Sequence, residues 1–259
     1  MLYKYIQYQT KQRVTYITLN RPEKRNAFNE LLVEELKHAF SKAENDNNTK
    51  IVILKANGKV FSAGADLSYL QSLQKNSYEE NLEDSRNLKE LYQHIYSFKK
   101  VVIAQVEGHA IAGGCGLATV CDFTFAVPNI KFGYTEVKIG FVPAIVMVFL
   151  LKKIGELKTK DLLLTGKLIS SEEAKNINLI NQIFAKETIE EEVFNFAQKL
   201  CSETSSQSLE ITKKMIADIQ KMNYKEAFDF AAQMNAKARA TDDCKKGILS
   251  FLNKNKIVW

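Results

Sequence analysis

Two strand-length apolar runs, Ile51 to Leu54 and Val101 to Val106, constrain this chain more than anything else in it. A strand that is apolar on both sides has to be covered on both faces, as happens in parallel sheets flanked by helices. Leu31, Leu32, Leu36, Ala39 and Phe40 recur at helical spacing within Phe28 to Phe40, after the turn Asn20-Arg21-Pro22. Alternation in Tyr3 to Gln9 and Arg13 to Leu19, around Thr10, Lys11 and Gln12, predicts a β-hairpin at the start. Phe123 to Val127 and Lys131 to Tyr134 read as two more strands, joined through the Pro128-Asn129 turn. The first half is therefore expected to be α/β.

Beyond Pro143 the pattern turns almost wholly helical, beginning with Ile145 to Leu151 and continuing through Leu157 to Leu164, with one short strand interrupting it. Ser170 with Glu173, and Thr204 with Gln207, have capping-box spacing and predict two helix starts. Leu209, Met215, Ile216 and Ile219 form one apolar stripe, and Ala227, Phe228, Ala231, Ala232, Met234 and Ala238 mark another. No low-complexity linker separates this region from the rest. We expect a core over residues 1–195 and a helical region over 196–259 suited to assembly.

With 259 residues, 46% of them hydrophobic, the chain can fill a sizeable core, which excludes a stapled miniature scaffold and disorder over most of its length. The balance of 36 basic against 30 acidic residues is too diffuse to point to nucleic acid. Apolar segments such as Phe141 to Leu151 stop well short of the roughly 20 residues that span a bilayer, so no membrane is expected. Met1 to Gln12 lacks the apolar run of a secretory signal, and a cytoplasmic location is the expectation. Cys115, Cys121, Cys201 and Cys244 show no paired spacing and read as thiols. His38, His94 and His109 are likewise unspaced for a metal, and none is expected; His109 reads as a strand-end residue at the mouth of a glycine corner.

Chemistry is most readable at two corners where small residues follow a strand and lead into a helix, Phe61 to Leu67 and Gly108 to Gly116. Small residues let another molecule approach the backbone, and amides at a helix start carry a partial positive charge. Either corner alone is compatible with tight packing. Together they can offer two N–H donors to one oxygen, an oxyanion hole. The second corner has no Gly-Lys-Ser/Thr ending, Gly114-x-Gly116 lacks the third glycine of a dinucleotide fingerprint, and no GxSxG elbow is present. Glu136, between a short strand and the Gly140-Phe141-Val142-Pro143 turn, is the candidate for moving protons, although spacing alone favours a solvated loop carboxylate.

These residues resemble the enoyl-CoA hydratase/isomerase family, also called the crotonase family, over essentially the whole chain. The resemblance is carried by Asn20 to Phe28, Phe61 to Leu67, Ala110 to Ala118 with Cys121-Asp122, Phe132 to Glu136, Leu164-Thr165-Gly166, and Lys245 to Trp259. It implies a crotonase-like α/β spiral of ββα units, followed by a helical trimerisation region, assembled as a homotrimer or a hexamer of paired trimers. It also implies an acyl-CoA thioester as substrate, with coenzyme A belonging to the substrate and no further cofactor. Carried over by position, the amides of Ala65 and Gly113 would hold the thioester oxygen and Glu136 would exchange protons. Arg25, Ala27, Ala63, Asp66, Leu67 and Ser68 would line the coenzyme A groove, and Lys254 or Lys256 would meet a neighbour's cofactor phosphates.

Two departures from the family pattern bear on the reaction. Hydratases commonly carry a second glutamate where this chain has Gly116, and a glycine-rich stretch with a Gln-Arg pair where it has Phe141 to Val148. The bulky stretch, with Tyr134-Thr135 before Glu136, is more similar to the methylglutaconyl-CoA hydratase-like branch. The expectation is an acyl-CoA hydro-lyase acting on a straight or 3-methyl-branched 2-enoyl thioester. A single-glutamate double-bond isomerase and a non-catalytic acyl-CoA-binding relative remain the alternatives.

Overall fold

A computed structural model describes residues 2–257 and 259. In chain order, β1 (Ile6–Lys11), β2 (Val14–Leu19), α1 (Glu30–Asn45), β3 (Ile51–Ala56), β4 (Val60–Ser62), α2 (Leu67–Leu73) and α3 (Tyr78–Tyr96) come first. They are followed by β5 (Val101–Val106), β6 (His109–Ile111), α4 (Gly113–Thr119), β7 (Phe123–Ala126), β8 (Lys131–Gly133), α5 (Ala144–Thr165), β9 (Leu168–Ser170) and α6 (Ser171–Asn176). Last are β10 (Gln182–Ile183), α7 (Ile189–Glu203), α8 (Ser206–Ile219), α9 (Tyr224–Arg239) and α10 (Asp242–Leu252).

The strands form two mixed sheets, one ordered β1-β2-β3-β5-β7-β10 and the other β4-β6-β8-β9. β3, β5 and β7 run parallel in the large sheet, and β4, β6 and β8 run parallel in the small one. Each pass of the chain thus places one strand in each sheet and then a helical segment, the expected ββα repeat. Every side chain from Ile51 to Leu54 is fully buried, as its apolar run requires.

Three local expectations shift by a residue or two. The hairpin turn is tighter than expected: Thr10 and Lys11 pair within the strand, and Gln12 and Arg13 make the turn with φ of 49° and 66°. A two-residue turn with both φ positive normally shows Asn or Gly, so the sequence carried no signal for it. Helix α1 starts at Glu30 because the Asn29 side chain caps the Leu32 amide, while Phe28 is held in an extended bridge to Ala65. The capping box expected at Thr204 does not form. Ser205 caps α8 instead, Thr204 donates its hydroxyl to Leu200 at the end of α7, and Gln207 accepts from the Asp243 amide.

Helix α7 runs without interruption through residue 196, burying Ile189, Val193, Ala197 and Cys201. Beyond it the packing changes character. Helices α9 and α10 bury no residue, and Ile216, Phe228, Ile248, Leu249, Phe251 and Leu252 stay exposed on α8 to α10. Of the two apolar stripes of the sequence, Ile216, Phe228 and Ala232 are exposed and the other positions half-buried, so the stripes are only partly covered within a single chain.

Candidate active site

Both glycine corners leave the small sheet from neighbouring strands. β4 and β6 pair in parallel, Val60 with His109 and Ser62 with Ala110, so the chain turns away from both at the same end. The first corner is tied to the N-terminal motif: the Ala63 amide donates to Arg25, Phe28 donates to Gly64, and the Asp66 amide donates to Phe28. This parallel bridge uses the Gly64 carbonyl and the Asp66 amide, on either side of Ala65, and leaves the N–H of Ala65 directed away from Phe28.

The second corner is held from the other side. The Ala112 amide donates to Gly133 of β8 at 2.8 Å, and Gly113 opens α4, whose first amides have no partner within the helix. Two glycines make the corners interlock. A Cβ on Gly64, whose φ is +83°, would stand 2.7 Å from the Ala112 Cβ and 3.1 Å from the Gly113 nitrogen. A Cβ on Gly114 would overlap the backbone oxygen of Ser62. The Ala65 and Gly113 segments are thus packed against each other, with Ala65 and Gly113 both partly open to solvent.

Ala112 carries strain in this arrangement. Its φ of 52° with ψ of −130° is a conformation natural to glycine and costly for a residue with a Cβ, on the order of 1–3 kcal/mol. Replacing Ala112 with glycine is expected to stabilise the protein by about 1 kcal/mol, the relieved strain exceeding the added chain entropy of glycine. Thermal unfolding checks this, with a rise of a few degrees expected.

Glu136 emerges next to these corners. β8 pairs with β6 and leads into a single 3-10 turn, Glu136–Ile139, closed by Gly140 at φ 74°. Glu136 is only 8% exposed, and its Oε2 has no hydrogen-bond partner among the described residues. Burial pushes its pKa up, opposed by a hydrogen bond from its own amide. A buried acceptor oxygen without a partner is costly unless something else occupies the site. Its charge is felt by Tyr92, Cys115 and Tyr134, whose groups are raised first by their own burial and then by neighbouring charge, Glu136 included. Cys115 and Cys121 are pushed up to about 12 and stay thiols.

The other residues expected at the site divide. Arg25, Leu67 and Ser68 are exposed and Ala63 is partly so, while Ala27 is buried. Asp66 is buried and occupied: Oδ2 pairs with Arg21 at 2.9 Å, and Oδ1 accepts from the Ser68 amide and hydroxyl, capping α2. Those hydrogen bonds from Ser68, with help from Arg21, hold its carboxyl below the usual range. Lys254 and Lys256 are exposed. His109 accepts the Lys131 amide through Nδ1, bracing the edge between β6 and β8, and no metal-ligating cluster forms among the described residues.

Sequence reasoning missed two neighbours. Tyr92 is fully buried on α3 and donates its hydroxyl to the Gly113 carbonyl at 2.6 Å. Val146, on α5, lies where any side chain at position 116 would go, because a Cβ on Gly116 would overlap its Cγ1. The absence of a carboxylate at 116 and the bulky stretch after Pro143 are therefore one packing arrangement.

The protein-family model described as enoyl-CoA hydratase/isomerase matches residues 9–259. A Thermus thermophilus protein with a provisional enoyl-CoA hydratase name is 39% identical over 94% of this chain and 96% of its own. The mitochondrial enoyl-CoA hydratase of Pongo abelii is 33% identical over 94% of this chain and 82% of its own. The crystal structure of an enoyl-CoA hydratase from Shewanella pealeana superposes with a TM-score of 0.94 at 26% identity, covering 99% of this chain and 96% of that one.

Proposed function

This chain belongs to the enoyl-CoA hydratase/isomerase family, and from that premise we propose that it is a hydro-lyase adding water across, or removing it from, the 2,3 double bond of a coenzyme A thioester. The observation that carries this reading is the interlock of Gly64 with Ala112 and Gly113 beside a buried carboxylate with one unpartnered oxygen. The thioester oxygen accepts hydrogen bonds from the Ala65 and Gly113 amides, the latter reinforced by the positive end of α4. Conjugate attack of water at C3 pushes the π electrons onto that oxygen as an enolate. Glu136 takes the proton released by the water and returns it to C2, so one water is consumed and no other group is left over. Arg25, Ala27, Ala63, Leu67 and Ser68 line the coenzyme A groove in this reading, and Asp66 shapes it through its cap on α2.

Isomerisation is the second reading, favoured by one observation: Val146 fills the space beside Gly116, so a single carboxylate does all the proton transfer. Shuttling a proton between two carbons of one substrate needs no second group to orient water. A 2-enoyl thioester is expected to lose its conjugated absorbance and yield the 3-hydroxy product faster than the 3-enoyl isomer is converted to the conjugated ester. The reverse order of rates would make the protein an isomerase.

Within the hydratase class, the apolar stretch Phe141 to Val148 supports a 3-methyl-branched acyl group such as methylglutaconyl, and a panel of straight and branched esters tests it by kcat/KM. The uncovered apolar residues of α8 to α10 support a trimer or paired trimers, which light scattering would report as three or six chain masses.

A further inference from the structure

We propose that Tyr92 is a positioning residue for the second oxyanion donor, setting the direction in which the Gly113 amide points. The inference rests on the reading of Gly113 as a donor to the thioester oxygen. Three contacts place Tyr92 against Gly113 and the first turn of α4. Its hydroxyl donates to the Gly113 carbonyl at 2.6 Å. The same oxygen would stand 3.1 Å from a Cβ on Gly113, so it covers that side of the α-carbon, and Phe28 closes in beside it at 3.3 Å. The Tyr92 ring also lies under Gly116, one turn further along α4, at 3.4 Å from where a Cβ would be.

Gly113 needs such a peg. It has no side chain to lock its rotation, and it follows a residue in a strained conformation that relaxation would pull elsewhere. Tyr92 is itself rigid, fully buried on α3 between Leu91 and Ile95, which are also buried. Holding the carbonyl on one side of the Gly113 α-carbon and covering the α-carbon itself restrict rotation there, and with it the aim of the N–H on the other side. Burial keeps the phenol protonated and available as a donor at every working pH.

The test compares Tyr92→Phe with Ser171→Ala, which removes a similarly buried hydroxyl, on α6, that donates to the Val127 carbonyl at 2.7 Å. The probe is a conjugated cinnamoyl-type coenzyme A thioester, whose absorbance moves to longer wavelength when donors pull on its carbonyl. The expected result is a smaller shift for bound Tyr92→Phe and a roughly tenfold lower kcat with KM little changed, because a misaimed donor weakens transition-state binding more than ground-state binding. Ser171→Ala is expected to lose thermal stability while keeping both the shift and kcat. A full shift and full kcat in Tyr92→Phe would overturn the proposal. No shift in the unmodified protein would instead overturn the oxyanion reading on which it rests. If Tyr92→Phe does not fold, Tyr92→Met gives the same comparison.

Discussion

Replacing Glu136 by glutamine is expected to cut turnover at least roughly a hundredfold while leaving acyl-CoA binding nearly intact, because glutamine keeps the shape and loses the exchangeable proton. The same change should raise thermal stability at pH 8. Burial raises the Glu136 pKa in the folded protein, so the native state holds this proton more tightly than the unfolded chain does. Stability from that proton is fully present below the unfolded value of about 4.3 and is lost as pH rises through the folded pKa. The variant's advantage in Tm should therefore be largest at pH 8 and fade toward pH 4. Activity in the unmodified protein should fall on the acid side at a pH above the ordinary carboxylate range, since the base must be ionised to take a proton from water. Calorimetry and steady-state kinetics across pH check both halves. A variant with unchanged turnover, or one less stable than the parent at pH 8, contradicts the role.

The second large effect is expected at Gly64. A methyl group there meets Ala112 at 2.7 Å and the Gly113 nitrogen at 3.1 Å, at a φ of +83° that disfavours any side chain. The two corners have to move apart for Gly64→Ala to fold. Displacing one donor from an oxyanion hole costs about 10²–10³ in kcat, and that is the loss expected here with KM changed far less. Gly155→Ala separates this from general damage. Gly155 breaks α5 at φ 76° and ψ 170°, and a Cβ there meets nothing within 4 Å. It should lose on the order of 1–3 kcal/mol of stability through backbone strain and keep its turnover. If both variants lose kcat alike, the interlock of the corners has no special part in catalysis.

The fold was legible because its strongest signals are local. Ile51 to Leu54 had to be a doubly covered strand, and the Ser170 and Glu173 pair had to start a helix, with the capping box present at α6. Position along the chain also exposed the two corners, whereas for Glu136 spacing alone favoured a solvated carboxylate and only the packing shows it buried. What the sequence could not carry was contact between distant segments. Nothing in the spacing of Tyr92 distinguishes it from Leu91 and Ile95, its buried neighbours on the same helix, yet it alone reaches Gly113. Nor does Val146 announce that it occupies the space beside Gly116, thirty residues earlier. Asp66 reads as a groove residue by position, but its oxygens are taken by Arg21 and Ser68, so its influence on a ligand runs through the backbone it caps. The turn at Gln12 and Arg13 was hidden for another reason, since neither residue type favours the left-handed conformation that the hairpin imposes on both.

A crystal structure with an unreactive acyl-CoA thioester bound tests the account most directly. The thioester oxygen is predicted to lie about 3 Å from both the Ala65 and Gly113 nitrogens, with the free carboxylate oxygen of Glu136 facing C2 and C3. A thioester oxygen bound by neither amide, or a Glu136 turned away from the acyl carbons, would contradict it.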